Sequence, residues 1–139
     1  LAHLPVAGSL AFKQLLGRSL FGAYFRELFL ADPSAISNER LDEYYRSWSE
    51  PAARGSTLAA LRATVDARPV AAQTSRIQTP TLVLWGHRDR MLPASIGHRL
   101  AREIRGARFE LLDAGHAPQE ERPRELAETV KRFLREARS

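Results

Sequence analysis

The clearest pattern of apolar and polar positions lies in the second half of the chain. Leu82 to Trp85 is a short run of consecutive apolar residues that follows Pro80 and ends at Gly86. The run is too short for a helix, and proline suits the start of a strand because it cannot donate a ladder hydrogen bond. Consecutive rather than alternating apolar residues predict a strand covered on both faces, as in a parallel sheet.

A helix, a second strand and a last helix are predicted after this strand. Ala94 to Ile104 has apolar residues at helical spacing, and Gly106 is a stop signal. Arg108 to Leu112 is typical of another short strand, and about Pro123 to Ala137 predicts a helix with one apolar face. The order is β-α-β-α, and a right-handed crossover makes the two strands parallel.

Each predicted strand runs into a polar loop. Asp89 follows the first strand and His116 follows the second. The carboxyl ends of parallel strands meet at one edge of a sheet, where open α/β sheets bind ligands. We therefore expect the two side chains to approach within hydrogen-bonding or one-water range, roughly 3–5 Å.

The first half of the chain, residues 1–76, shows helical spacing and no convincing strand. Leu10 to Leu30 predicts one or two helices with a break at Gly17 or Gly22, and Asp32-Pro33-Ser34 predicts a turn. Ser37 is a suitable N-cap for a helix that begins at Asn38. The apolar face of that helix is Leu41, Tyr44, Tyr45 and Trp48.

A third helix is predicted from Thr57 to Ala67, because Pro51 and Gly55 interrupt the pattern before it. Pro69 to Gln78 is then a connection into the first strand.

Two motifs of the second half resemble the carboxyl-terminal end of the α/β-hydrolase fold. They are Trp85-Gly86-x-x-Asp89-x-x-x-Pro93 and Gly115-His116-x-x-x-x-Glu121-x-Pro123. The resemblance implies that Asp89 and His116 are the acid and the histidine of a catalytic triad, and acid before histidine is the chain order of that fold.

The resemblance also implies a fold class and a domain organisation. The predicted class is α/β, namely the carboxyl-terminal part of an α/β-hydrolase fold in which a helical cap precedes a β-α-β-α unit with parallel strands. Residues 1–76 would be the helical cap-like region, and residues 77–139 the carboxyl-terminal β-α-β-α of the hydrolase core. A cap covers the active site, so Tyr44, Tyr45 and Trp48 are candidates for substrate binding. At helical spacing they are also typical of core residues.

The chemistry expected of the pair follows from the two side chains. A neutral imidazole takes a proton at neutral pH, and a buried carboxylate holds its other ring nitrogen and stabilises the imidazolium. Asp113 is a rival carboxylate, but its place at the end of the second strand favours a role in the turn. Glu121 is expected to brace the loop or cap the last helix, and His87 and Arg88 are interpreted as loop surface.

No nucleophile is recognisable. The resemblance implies a Ser, Asp or Cys on a sharp strand-to-helix turn of the form Gly-x-Ser-x-Gly, and no such motif occurs. Ser9 and Ser56 each follow a glycine, but neither follows an apolar strand or has the second glycine. We therefore expect the nucleophile to be absent from this chain and the chain alone to be inactive.

Composition narrows the remaining classes. The chain has 139 residues and a net charge of +5, from 21 Lys and Arg against 16 Asp and Glu. The cations of the last helix alternate with glutamates, which is typical of a solvated face rather than a nucleic-acid site. The apolar runs are too short to span a membrane. No spacing of the histidines, His3 and His98 included, indicates a metal site, and no cofactor is implied.

Cysteine is absent and the amino terminus lacks both Met and the charged start of a signal peptide, so we expect a cytoplasmic protein cut from something longer. The function predicted from the resemblance is hydrolysis of an ester or a related carbon–carbon bond in a small molecule. The alternatives are a noncatalytic cap or interaction fragment and one half of a split hydrolase. The expected partners are a small-molecule substrate and either the missing amino-terminal half or a second copy, with neither nucleic acid nor membrane.

Overall fold

A computed structural model of the chain describes residues 17–63 and 73–137. The start of the predicted apolar stretch at Leu10 lies outside these ranges, as do His3, Ser9 and the first part of the connection from Pro69. No helix within the two described ranges is both long enough and apolar enough to cross a membrane.

The first described range is helical. It contains α1 (Arg18–Phe29), a short 3-10 helix (Pro33–Ala35), α2 (Asn38–Ser49) and α3 (Pro51–Ala63). The predicted N-cap is confirmed, since the Ser37 hydroxyl accepts a hydrogen bond from the Arg40 amide at 3.2 Å. Gly22 is not a break: it lies inside α1, where a Cβ would stand 2.7 Å from a Leu41 methyl group.

The prediction for the third helix was wrong at its start. We expected Pro51 and Gly55 to interrupt the chain, yet α3 begins at Pro51 and passes through Gly55. Proline lacks only an amide that is unpaired in the first helical turn anyway, and a single glycine lowers helix stability without ending the helix. The predicted end at Ala67 lies outside the described residues.

The second described range has the predicted β-α-β-α order. β1 (Leu82–Gly86) pairs in parallel with β2 (Arg108–Leu112), from Leu82 opposite Arg108 to Gly86 opposite Leu112. α4 (Ala94–Glu103) packs on both strands, and α6 (Pro123–Glu136) follows a single-turn helix, α5 (Pro118–Glu121), that the pattern did not predict. The arrangement fits a carboxyl-terminal part of the α/β-hydrolase fold.

β1 is less covered than expected. Val83 and Gly86 are buried, whereas the other residues of the strand are partly exposed. α4 covers one side so closely that a Cβ on its Gly97 would stand 2.6 Å from the Trp85 ring. Within the described residues no strand other than β2 pairs with β1, so its second edge is left open.

The main apolar cluster joins the helical region to the loop that carries His116. Leu30 and Leu41 are almost completely buried, and they pack with Phe25, Ile36 and Ala117. Ala117 lies directly after His116, so burial of these side chains fixes the end of α1 against that loop. The helical region therefore packs directly against the loop that carries His116.

Candidate functional site

The loop after β1 is held in one conformation by its own hydrogen bonds. One carboxylate oxygen of Asp89 accepts from the amides of Met91 and Leu92, at 2.8 and 2.9 Å. The Trp85 indole closes the loop by donating to the Leu92 carbonyl at 3.0 Å. Because these two amides bind Oδ1, the second carboxylate oxygen of Asp89, Oδ2, is left to bind another group.

The loops after β1 and β2 continue the strand pairing beyond the sheet. The His87 amide donates to Leu112 at 2.9 Å, and the Arg88 amide donates to Ala114 at 3.0 Å. Gly86 allows this approach, since a Cβ there would stand 2.6 Å from the Ala114 carbonyl oxygen and closer still to that of Gly115. Backbone hydrogen bonds therefore join the two loops from the end of the sheet as far as Arg88 and Ala114.

Asp89 and His116 meet as predicted. Oδ2 of Asp89 lies 2.8 Å from Nδ1 of His116. The Asp89 side chain is 3% exposed and that of His116 is 29% exposed. A carboxylate accepts and does not donate, so the bond requires the proton on Nδ1. Nε2 is left as the ring nitrogen that is free to act, and no described residue hydrogen-bonds to it.

The end of α1 supports the imidazole from another side. The Phe29 ring meets the His116 ring edge-on with centroids 5.2 Å apart, and the Phe29 carbonyl accepts from the Ala117 amide at 3.1 Å. Gly115 makes room for this contact, because a Cβ there would stand 2.7 Å from the Phe29 carbonyl oxygen. Sequence reasoning missed Phe29, because it lies far from both motifs along the chain.

Glu121 braces the loop, as expected. It is 8% exposed, and its carboxylate accepts from three backbone amides. One oxygen binds the amide of Gly115 at 2.5 Å, and the other binds the amides of Ala31 and Asp32, each at 2.9 Å. Only the bond to Gly115 is local, so the link to the segment after α1 had no sequence signal.

The other charged residues near the pair face outward. Asp113, the rival carboxylate, is 62% exposed and pairs with Arg88 at 2.8 Å and with Arg122 at 3.5 Å. Arg90 reaches across to α1, where it donates to the Glu27 carbonyl at 3.2 Å. His87 is exposed. His87 and Arg88 are therefore surface residues of the loops, as interpreted from the sequence, and Asp113 is exposed in the bend after β2, where a role in the turn was expected.

The structure places Tyr44, Tyr45 and Trp48 between α1 and α2. Tyr44 stacks on Phe25 with centroids 5.1 Å apart, and Tyr45 and Trp48 lie 5.5 and 5.3 Å from Phe21. All three are partly buried. The aromatic rings of α1 continue to the site, since Phe25 stacks on Phe29 at 4.8 Å. The three side chains thus reach His116 only through other rings.

Tyr44 also takes part in a polar cluster with α5. Its hydroxyl donates to Glu120 at 2.7 Å, and Arg40 pairs with the same carboxylate at 3.1 Å. The hydrogen bond from Arg40 lowers the pKa of Glu120, and the Tyr44 hydroxyl lowers it further. Burial raises the pKa of Tyr44, and the bond to Glu120 acts in the same direction.

Neither a metal centre nor a nucleophile elbow is seen in the part of the chain that the structure describes. No group of three or more His, Asp or Glu side chains there could hold a metal ion. Ser56 lies within α3 and donates to the Ala52 carbonyl at 3.0 Å, so it is not on a strand-to-helix turn.

Residues 2–129 match the sequence model of the Alpha/beta hydrolase family. The uncharacterized hydrolase YugF of Bacillus subtilis (strain 168) is 30% identical over 106 residues, which are 75% of this chain and 38% of YugF. Monoacylglycerol lipase abhd6-A of Xenopus laevis is 39% identical over 61 residues, or 43% of this chain and 18% of that protein.

The same likeness extends to solved structures. The enol-lactonase of Burkholderia xenovorans LB400 superposes with a TM-score of 0.72 and 26% identity, over 93% of this chain and 49% of that one. The chain therefore spans about half the length, or less, of these relatives. The resemblance drawn from the two motifs is confirmed.

Proposed function

Since this chain belongs to the alpha/beta hydrolase family, we propose that Asp89 and His116 are the acid and the general base of a hydrolase. The reaction is hydrolysis of an ester or a related carbon–carbon bond in a small molecule. The nucleophile comes from residues outside the 139 of this sequence. The single observation that carries the proposal is the 2.8 Å bond between Asp89 and His116 Nδ1.

The geometry supports a defined proton path. Asp89 accepts a hydrogen bond from the Nδ1–H of His116 and so fixes the tautomer in which Nε2 has a lone pair. Nε2 takes the proton of the attacking hydroxyl, thiol or water as the new bond to the substrate carbon forms, and the buried carboxylate of Asp89 stabilises the imidazolium. The same proton is then delivered to the leaving group, so His116 returns to the neutral form.

An ester is the substrate class that the relatives favour. The enol-lactonase and the monoacylglycerol lipase are named for substrates that contain an ester linkage, cyclic in the lactone. No metal or cofactor takes part in the proposed steps. The reaction needs a nucleophile, a base with its acid, and donors for the developing oxyanion, and this chain supplies the base and the acid.

We extend the proposal to the two regions of the chain. Residues 1–76 form the cap-like region and residues 77–139 the carboxyl-terminal part of the core. The row of rings from Trp48 and Tyr45 through Phe21 and Phe25 to Phe29 supports the cap-like assignment, because it places the helices next to His116. Tyr44, Tyr45 and Trp48 are proposed to border the substrate on the helical side.

A second candidate is a binding or split-enzyme role, favoured by the open edge of β1. An unpaired strand edge is a template for another strand. The partner is a segment that carries the nucleophile or a second copy of the chain. Nucleic acid and membrane are not proposed as partners, and a cytoplasmic location is proposed.

The experiment that tests the catalytic proposal supplies the nucleophile. Residues 1–139 replace the equivalent half of the Burkholderia enol-lactonase, and the hybrid is assayed with a p-nitrophenyl ester. His116→Ala is expected to lower kcat by about 10²–10⁴-fold, the usual contribution of a general base. His98→Ala is the matched control, because His98 is an exposed residue of α4 whose ring packs on Phe109 and not on the candidate site. Equal activity of the two variants would contradict the assignment of His116.

The unmodified chain provides a second test. Because the proposed nucleophile lies outside this sequence, the chain is expected to hydrolyse the ester slowly and without an initial acyl-enzyme burst. A burst abolished by His116→Ala would show that a serine of this chain, Ser9, Ser56 or Ser95, is the nucleophile.

A further inference from the structure

Glu121 is a buried carboxylate bound by backbone amides on two sides. Gly115, which donates to one oxygen, directly precedes His116 in the chain. Ala31 and Asp32, which donate to the other oxygen, follow the end of α1. One side chain therefore joins the loop of the proposed base to a segment about ninety residues away along the chain.

These bonds act on the orientation of His116. The loop between Gly115 and Glu121 is closed by a short hydrogen bond, and its outer side is held against α1 by the bond from the Ala117 amide to Phe29. The imidazole then lies between the Phe29 ring and Asp89. If Glu121 did not hold Gly115, the peptide before His116 would have an unpaired buried amide and would move to find a partner.

We propose that Glu121 is a positioning residue for His116: it keeps the imidazole on Asp89 by fixing the loop against the segment after α1. The proposal rests on the proposed role of Asp89 and His116, and it adds a residue that touches neither of them through its side chain. Its effect on His116 passes through the backbone of Gly115 on one side and, on the other, through the segment after α1, which adjoins the Phe29 ring.

Glu121→Gln tests the proposal with almost no change of volume. The amide of glutamine has one acceptor oxygen and one NH2 group, so it accepts on one side but presents a donor to a backbone N–H on the other. One of the two segments is then released. Glu120→Gln is the matched control at the adjacent position, because Glu120 binds the side chains of Arg40 and Tyr44 and no amide of the His116 loop.

The measurement is the proton NMR spectrum of the 139-residue chain at low temperature. A hydrogen-bonded Nδ1–H of His116 gives a far-downfield resonance, assigned by its loss in Asp89→Asn. Glu121→Gln is expected to lose this resonance or shift it upfield while the thermal transition stays cooperative, and Glu120→Gln is expected to keep it. An unchanged resonance in folded Glu121→Gln would overturn the positioning role, even if its melting temperature fell.

Glu121→Asp covers the case in which Glu121→Gln does not fold. It retains the charge but withdraws the carboxylate by one methylene, so it cannot reach both segments. A partial upfield shift is expected, and no shift would again overturn the proposal. A resonance that is missing from the wild-type chain, or that persists in Asp89→Asn, would instead contradict the Asp89–His116 pair itself.

Discussion

Replacing Gly86 with alanine is expected to separate the two loops that carry Asp89 and His116. Gly86 is the last residue of β1, and a Cβ there would stand 2.6 Å from the Ala114 carbonyl oxygen and nearer still to that of Gly115. A Cβ essentially never comes within 3.0 Å of a heavy atom outside its own residue and its two chain neighbours. The neighbours are backbone atoms, so no side-chain rotation can relieve the clash, and the loops must move apart.

The cost can be estimated from the same contact. Forcing a methyl group into a packed site costs about 1–3 kcal/mol, and sometimes more. Because the contacted atoms are all backbone, we expect about 3 kcal/mol, or a fall of roughly 10 °C in melting temperature for a domain of this size. Gly55→Ala is the matched control. It lies within α3 with nothing within 4 Å of the new methyl group, and it should gain about 0.5–1 kcal/mol from helix propensity.

Two assays measure the effect of Gly86→Ala on stability and on the contact between Asp89 and His116. Circular dichroism gives the melting temperatures of the two variants, and the downfield resonance of His116 reports whether Nδ1 still lies on Asp89. Gly86→Ala is expected to lose the resonance and Gly55→Ala to keep it. If Gly86→Ala melts like the wild type and retains the resonance, the two loops have more freedom than the structure implies, and the reasoning from their close approach is wrong.

Three further outcomes are expected. Tyr44→Phe should lower the free energy of unfolding in urea by about 1 kcal/mol, because it removes the bond to Glu120, whereas Tyr24→Phe on the exposed side of α1 should not. The pKa of Glu120 is lowered in the folded chain, so its stabilising contribution is present above the ordinary value of 4.5 and is lost as the pH falls below it. The stability difference between wild type and Glu120→Gln should therefore shrink over that range. Sedimentation at micromolar concentration should show self-association through the open edge of β1, and a single monomeric species would contradict this.

The sheet and its two loops were predictable because their signals are local. A short apolar run that ends at a glycine predicts a strand whatever the rest of the chain does. The right-handed crossover rule then makes the next strand parallel to it. These two rules place Asp89 and His116 at one edge of the sheet. The observed distance of 2.8 Å is just below the lower limit of the range expected from the sequence, so the two side chains are in direct contact without a bridging water.

The contacts between the halves were not predictable in this way. Glu121 binds the segment after α1, and Phe29 touches the His116 ring, yet each pair is separated by some ninety residues. Whether two such positions meet depends on how the whole chain packs, and the spacing of residues within either half carries no record of it. The prediction of where α3 starts was wrong for a different reason, since proline both interrupts helices and begins them.

Contacts within the described residues hold His116 in one orientation. The strand pairing brings the two loops together, Asp89 fixes Nδ1, and Phe29 limits the tilt of the ring. A base held in this way needs no reorganisation when a nucleophile arrives, and a near-attack geometry that is set beforehand contributes much of the rate of an enzyme. In the proposed hydrolase, the part that carries the nucleophile therefore has to place the nucleophile next to Nε2 of His116. It does not have to orient the imidazole, because the contacts described above already do so.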